Sequence, residues 1–373
     1  MIYAINYAND KYRKAQLLNS QTALLYGADK VIAYSPRDID NDFYNLNNKI
    51  LTCERGNGYW LWKPYFIKKT LGKMNENDFL IYSDSGSYFV DNINFLIHCA
   101  DTNNTDIMVF SLSEKLLERM WSKRDAFILM GCDTTEYTDT PQRLAGFLVL
   151  KNTKFTRDFV DEWLMLAQDI RIISDQPNCM GEKNYLDFKE NRHDQTILSL
   201  LSKKYHINSF RDPSKPRDRD IRTTVNQSEY PQIFELHRMG DIATVKELEE
   251  RYNNWLCELK ELWYCNKKMI LYGAGKNADK IISYSKIHNM KIDACVISDN
   301  QIIQEREKEG IKVYYISELP YSIEDILIIV TIESKEVIEW LKKQRICFKV
   351  INKKCWRALM HFKLRQERTM VKL

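Results

Sequence analysis

The sequence predicts an α/β protein of two domains, a larger one built on a mostly parallel sheet and a smaller doubly wound one. Three observations carry this. Short apolar runs of strand length alternate with helix-periodic stretches from the first residues onward. A new strand, glycine turn, helix and strand begins near residue 266, far along the chain. The length, 373 residues, exceeds that of an ordinary single domain.

Residues 2–6 (IYAIN) read as the first strand, followed by a helix in which Ala15, Leu18, Thr22 and Leu25 share one face, and residues 30–34 (KVIAY) as the second strand. A helix over 61–71 leads to a strand at 79–82, and residues 106–110 (DIMVF) and 146–150 (GFLVL) add two more. Strands spaced by helices imply a mostly parallel sheet covered on both faces. Residues 171–186 and 211–231, rich in Pro, Asp and Asn, read as long loops of the kind that serve as lids or binding segments. Between them, 192–205 predicts a helix that buries Ile197, Leu198, Leu200 and Leu201, with Asp194 in its first turn, where the helix dipole favours an anion. A strand at 233–236 and a charged helix over 244–264 follow, and the domains divide near Asn266, into 1–265 and 266–373. Strands at 312–316 and 326–332 and a helix over 335–343 complete the second domain.

Composition removes several classes of function. The longest apolar run, 326–332, is far below the roughly 18 residues that span a bilayer, and the first residues lack a signal-peptide pattern, so a cytoplasmic protein is expected. Nine cysteines without a C-x-x-C pair point to reduced thiols and away from zinc. The 55 basic residues are nearly balanced by 51 acidic ones, which gives no reason to expect a nucleic-acid partner. The tail is different: Lys353, Lys354, Arg357, Lys363, Arg365, Arg368 and Lys372 stand against Glu367 alone. As a helix it sets Trp356, Leu359, Phe362 and Leu364 beside a basic face, suited either to an anionic membrane surface or to the solvated last helix of a domain.

Two stretches carry chemistry. In DFLIYSDSGSYF a core strand runs into Asp84, set among Ser83, Ser85, Gly86 and Ser87. Ligands of open α/β sheets bind beyond the carboxyl ends of strands, so Asp84 suits a divalent cation on the phosphates of a nucleotide; an acid there also suits a turn or a helix cap. In CERGNGYWLWKPYFIKK, Arg55, Gly56 and Gly58 form a turn before Tyr59, Trp60, Trp62, Lys63 and Pro64. Glycines beside an arginine suit phosphate and exposed indoles suit sugar rings; the competing reading is tryptophans in the core and Arg55 in a surface ion pair.

Together RGNGYWLWKP, YSDSGSYF, RLAGFLVLKN and RHDQTILSLL, spread over roughly residues 1–240, resemble bacterial glycosyltransferases of the GT-A fold found in capsule and lipopolysaccharide gene clusters. The resemblance implies a GT-A-like, Rossmann-like first domain and a metal-dependent, hexosyltransferase-type activity. The donor would be a nucleotide-diphosphate sugar, in particular a UDP-sugar, and the acceptor a polysaccharide or lipid-linked glycan. It implies nucleotide contacts from Tyr3, Asn6 and Tyr7, and phosphate contacts from Arg55 and Lys63. Asp84, Ser85 and Gly86 would lie beneath the donor, and Gly146 would make room for sugar. Where that fold usually has Asp-x-Asp, a single acid, Asp84, stands here, so Mn2+ or Mg2+ would need a second ligand, His237. Asp194 is the candidate general base if the reaction inverts configuration and a sugar-positioning group if it retains it, with a purely structural role as the alternative.

In the second domain YGAGKNA follows a strand and opens a helix as in a dinucleotide fingerprint, with Ala278 replacing the last glycine and Asp299 near the acidic position. It suits a bound nucleotide or a bracing role. Two other functions stay open: an NAD(P)-dependent sugar-nucleotide oxidoreductase or epimerase working through this domain, and a non-catalytic carbohydrate-binding scaffold.

Overall fold

The computed structural model describes residues 1–215, 228–332 and 334–371, with side chains to residue 362. It divides into two compact units, Met1–Ala243 and Thr244–Leu373. The first contains strands β1 (Ile2–Tyr7), β2 (Lys30–Tyr34), β3 (Phe79–Ser83), β4 (Ser87–Phe89), β5 (Ile107–Ser111), β6 (Arg143–Lys151), β7 (Ser209–Arg211) and β8 (Phe234–Leu236). Six of these form one sheet in the order β2-β1-β3-β6-β5-β7, and β4 pairs with β8 in a small antiparallel ribbon.

Strand periodicity sorts the first core into two layers, because successive side chains leave a strand on opposite faces. Tyr3, Ile5 and Tyr7 of β1 join Leu80 and Tyr82 of β3 and Val109 of β5 in one apolar cluster. Ala4, Ile81, Met108 and Phe110 join the other. The first layer is closed by helices Trp62–Leu71, Lys154–Ala167 and Asp194–Lys204. Helix Lys154–Ala167 buries Phe159, Val160, Trp163, Leu164 and Ala167, a helical stripe that the strand-centred sequence reading passed over.

The alternation of strands and helices predicts a mostly parallel sheet, and the exception is β6, which runs antiparallel to both β3 and β5. The reversal has a consequence for the site. Ser83, the last residue of β3, faces Phe147, so the beginning of β6 lies at the carboxyl end of β3. Helix Arg13–Leu25 buries Ala15, Leu18 and Thr22 as expected, whereas Leu25, expected on the same face, is 73% exposed at the helix end. Of the two expected loops, 171–186 opens with the single turn Ile170–Ile173, and residues 216–227 of the second lie outside the described residues.

The second unit has its own sheet: β9 (Lys268–Tyr272), β10 (Ala294–Ile297), β11 (Glu307–Lys308), β12 (Ile311–Tyr315), β13 (Ile326–Val330) and β14 (Phe348–Val350), ordered β11-β12-β10-β9-β13-β14 and parallel except for β11. The division falls ahead of helix Val245–Glu261, where the sequence placed it near Asn266. That helix buries Leu248, Tyr252, Leu256 and Leu259, and its partner is the C-terminal helix Lys353–Val371. Tyr252 meets His361 with ring centroids 4.3 Å apart, and the Cys355 thiol lies 3.0 Å from the Trp255 carbonyl.

This packing also uses the apolar face of the tail. Leu359 is buried, and Phe362 lies edge-on against Tyr284, 5.0 Å between centroids. Leu359 and Phe362 are therefore spent inside the unit, and among the described side chains of this helix Lys353, Lys354, Arg357 and Met360 stay exposed. The side chains of Lys363, Leu364, Arg365, Glu367 and Arg368, and all of Lys372, lie outside the described residues. Among the described residues, no helix is long and apolar enough to cross a membrane. Replacing Leu359 by Ala should destabilise the second unit by about 2–5 kcal/mol, checked by calorimetry of the full chain as a downward shift of its transition.

Candidate active site

A cavity of about 650 Å³ opens at the carboxyl edge of the first sheet. It is reached by the end of β1 through Tyr7, the end of β3 through Asp84, the start of β6 through Leu144 to Phe147, and the end of β8 through Leu236 and Arg238. Tyr7, Arg55, Lys63, Asp84, Ser85, Gly86, Gly146 and Asp194 all line it. Distant stretches of sequence thus meet at one place.

At its floor lies a buried ammonium. Lys63 Nζ, its side chain 3% exposed, is 2.6 Å from Asp194 Oδ2 and 3.8 Å from Asp84 Oδ1, and it donates to the Ala145 carbonyl at 3.0 Å. Burial opposes the charge of Lys63, but Asp194 and Asp84 together outweigh it and hold its pKa above the ordinary ammonium value. Burial has the upper hand at Asp194, whose pKa is raised to about 6 in spite of Lys63. Tyr82 donates its hydroxyl to Asp84 Oδ1 at 2.6 Å, and burial keeps that phenol protonated, well above its usual range. Tyr82 was missed in the sequence, although it sits two residues before Asp84 and so shares its face of the strand.

The two acids differ in access: the Asp84 side chain is 43% exposed, that of Asp194 5%. Asp194, expected to take a proton from an acceptor, is turned onto Lys63, and of these two acids Asp84 is the one more open to the cavity. Gly146 serves this arrangement. A Cβ there would come within 3.2 Å of Asp84 Oδ2, so the glycine makes room for the carboxylate of this chain.

The wall opposite is a backbone under strain. Gly56, Asn57, Gly58, Tyr59 and Trp60 all have positive φ, from 49° to 94°, which makes the segment a left-handed turn five residues long. Such a conformation costs roughly 1–2 kcal/mol for each residue with a Cβ, so the surroundings must hold it. Trp62 Nε1 donates to the Gly56 carbonyl at 2.9 Å, and Asn57 donates to the Tyr7 hydroxyl. The Trp60 ring covers Gly56 so closely that a Cβ there would lie 2.1 Å from it. Trp62 is buried and stacked on Tyr7 at 3.8 Å, which makes it packing where the sequence allowed a sugar platform. His193, just before helix Asp194–Lys204, also has positive φ; its ring stacks on Tyr59 and Trp60, its Nδ1 meets the Ile173 carbonyl at 2.7 Å, and burial lowers its pKa.

Other expected residues fall elsewhere. Tyr3 lies in the core four residues upstream of Tyr7, which at about 3.3 Å per residue is some 13 Å along the strand. Asn6, on the other face of β1, donates to Asn19 at 2.7 Å and Ser20 at 2.9 Å, and Asn19 in turn holds Ser83 and Ser87. It braces the β3–β4 turn from behind. Ser85 donates to the Tyr7 carbonyl at 2.7 Å, and the Gly86 carbonyl accepts from the amides of His237 and Arg238. Arg55 meets Glu190 at 2.9 Å and Asp175 at 3.4 Å, the surface ion pairing that the sequence had offered as its alternative.

His237 is fully buried, and its Nδ1 accepts from the Met239 amide at 3.2 Å. It does not line the cavity; its neighbours Leu236 and Arg238 do. The alternation of side chains that continues from β8 turns the histidine to the other face. The expected divalent metal therefore does not fit these residues. One Asp84 oxygen already faces the Tyr82 hydroxyl and the Lys63 ammonium, the second ligand is turned away, and the described residues hold no cluster of three acidic, histidine or cysteine side chains able to bind a metal.

No protein-family model matches the chain, and no curated protein does. Among solved structures it shows similarity to apo mouse xyloside xylosyltransferase 1, at 10% identity over 57% of this chain and 85% of that one, with a TM-score of 0.35. The apo structure of the bifunctional glycosyltransferase WbbM aligns at 8% identity over 54% and 37%, TM-score 0.34. The galactosyltransferase LgtC, in complex with donor and acceptor sugar analogs, aligns at 15% identity over 63% and 86%, TM-score 0.32.

Gly56 and Gly131 offer a controlled comparison, since both have positive φ but a Cβ at 131 meets nothing within 4 Å. Gly131→Ala should cost about 1–2 kcal/mol from φ alone, and Gly56→Ala roughly 1–3 kcal/mol more from displacement of the Trp60 ring, read as unfolding midpoints in urea.

Proposed function

We propose that this chain is a glycosyltransferase that moves a sugar from a nucleoside-diphosphate donor, a UDP-sugar by preference, to a hydroxyl of a polysaccharide or lipid-linked glycan. The observation that carries the reading is the cavity, where an open carboxylate backed by a buried lysine and a second acid stands among aromatic and cationic walls. Its volume, about 650 Å³, suits a ligand of nucleotide-sugar size. The role in bacterial surface polysaccharide assembly rests on the motif resemblance.

In this reading the acceptor oxygen bonds to the anomeric carbon, the bond from that carbon to the phosphate oxygen breaks, and the hydroxyl proton passes to a carboxylate. Asp84 is the group with access to take that proton or to hold the reacting sugar. Lys63 and Asp194 set its charge and position from below. Negative charge developing on the departing diphosphate needs fixed positive groups around it, and Mn2+ or Mg2+ enters no step, since the residues do not fit one.

The rival reading, an oxidoreductase or epimerase working through the second unit, rests on a glycine turn and an acid. The turn is a tight one: Gly273 has φ 105°, and a Cβ there would lie 2.6 Å from Thr331 Oγ1. Asp299, the residue placed to hold a ribose, accepts instead from the hydroxyl of Ser317 at 2.7 Å and its amide at 3.2 Å. A nucleotide there remains part of the proposal only as a phosphate on the glycine turn. Contact with an anionic membrane would draw on the exposed Lys353, Lys354 and Arg357, and replacing all three by Gln should weaken low-salt binding to phosphatidylserine vesicles.

The deciding experiment incubates the purified chain with a panel of nucleotide sugars and measures nucleoside diphosphate release; no release from any donor, with or without glycan acceptors, overturns the reading. With a donor in hand, Asp84→Asn should lower turnover by about 10²–10⁴-fold. The acid limb is tied to Asp194. Its carboxylate gains a proton as pH falls through about 6, which leaves Lys63 without its ionised partner, so activity should decline below that pH. In Asp194→Asn that limb should vanish from the kcat/KM profile.

A further inference from the structure

One corner of the cavity is built by close backbone approach around two exposed cations. Gly86 at the β3–β4 turn accepts from the Arg238 amide at 2.8 Å, and a Cβ on Gly86 would lie 3.2 Å from Arg238 Cα. On the other side, a Cβ on Gly240 would lie 2.1 Å from the Lys11 carbonyl oxygen, while the Gly240 carbonyl accepts from the Ala15 amide at 3.3 Å. Two glycines thus let the segment after β8 settle between the β3–β4 turn and the residues that follow β1. The result sets Lys11, Tyr12 and Arg238 on the cavity wall together, both cations exposed. Arg238 itself has positive φ, 54°, an uncommon state for a residue with a side chain and one that the flanking contacts impose.

The other cations among the described residues that line the cavity are committed. Lys63 is locked between its two acids, Arg55 meets Glu190 and Asp175, and Arg192 lies over the Trp121 ring at 4.1 Å and 3.1 Å from Glu190. Among the described lining residues, Lys11 and Arg238 are the cations left to meet a ligand.

We propose that this corner is an anion subsite for the diphosphate of the donor, in which Arg238 and Lys11 do by fixed side-chain charge what a divalent metal was expected to do. The inference rests on the donor reading above and makes it specific. A guanidinium presents its donors as a planar fork that matches phosphate oxygens in pairs, and the lysine adds a second charge against the other phosphate. His237 then has a structural reason to be buried: it is the residue between two wall positions, Leu236 and Arg238.

The test is calorimetric binding of UDP, GDP, dTDP and ADP to the full chain, in EDTA and in Mn2+. The expected result is a nucleoside diphosphate whose Kd differs by less than about twofold between the two buffers, weakens by about 10–100-fold in Arg238→Ala, and is partly recovered in Arg238→Lys. Lys11→Ala should weaken it further in the double variant. Both side chains are exposed, so the unfolding midpoints of the variants should match the parent. Binding that requires Mn2+, or binding indifferent to Arg238→Ala, overturns the subsite and leaves the donor reading standing. Failure of all four nucleotides to bind in either buffer removes the donor reading and the subsite with it.

Discussion

The ammonium of Lys63 is the charge around which the first unit is arranged. A cation 3% exposed has lost its water and must be matched where it stands, and Asp194 at 2.6 Å does most of that. Breaking such a buried pair by removing one partner typically costs about 3–5 kcal/mol, so the pair fixes the approach of helix Trp62–Leu71 to helix Asp194–Lys204. Asp84, further off and half open, shares the same charge from the end of β3. Three separate segments are thereby held at one edge of the sheet, with one carboxylate left facing outward.

The antiparallel strand β6 makes this geometry available. Running against β3, it brings its first residues to the edge where the parallel strands end, and there Ala145 supplies a carbonyl to Lys63 while Gly146 leaves space for Asp84. The left-handed turn from Gly56 to Trp60 sits against the same place. Its strain is held by an indole N–H on a carbonyl, by Asn57 on the Tyr7 hydroxyl and by the His193 ring stacked on Tyr59 and Trp60, so the wall is set by its surroundings. A rigid wall of this kind suits a site that must fix a donor and an acceptor at one distance.

The second unit follows a different logic. Its sheet is ordinary, but one face depends on two helices, Val245–Glu261 and Lys353–Val371, that come from opposite ends of the unit's sequence. The amphipathic stripes that look suited to solvent or membrane are each other's partners. An apolar stripe states only that something will cover it.

Much of the architecture was legible in the chain. Buried parallel strands are nearly continuous apolar runs, and they appear as such at β1, β3, β5, β9 and β13; the motifs carrying Arg55, Lys63, Asp84, Gly146 and Asp194 were recognisable, and all five residues line one cavity. These are local properties, set by periodicity and by the residue types that turns and strand ends require. What the sequence left open was every question of facing and partner. Whether Asp194 meets an acceptor or a lysine, whether His237 or Arg238 looks into the cavity, whether Trp62 stacks on a sugar or on Tyr7, and which helix covers Leu359 depend on contacts between residues tens to hundreds of positions apart. A one-residue step along a strand reverses a side chain's direction, and the burial that moves a pKa exists only once distant segments have closed around it.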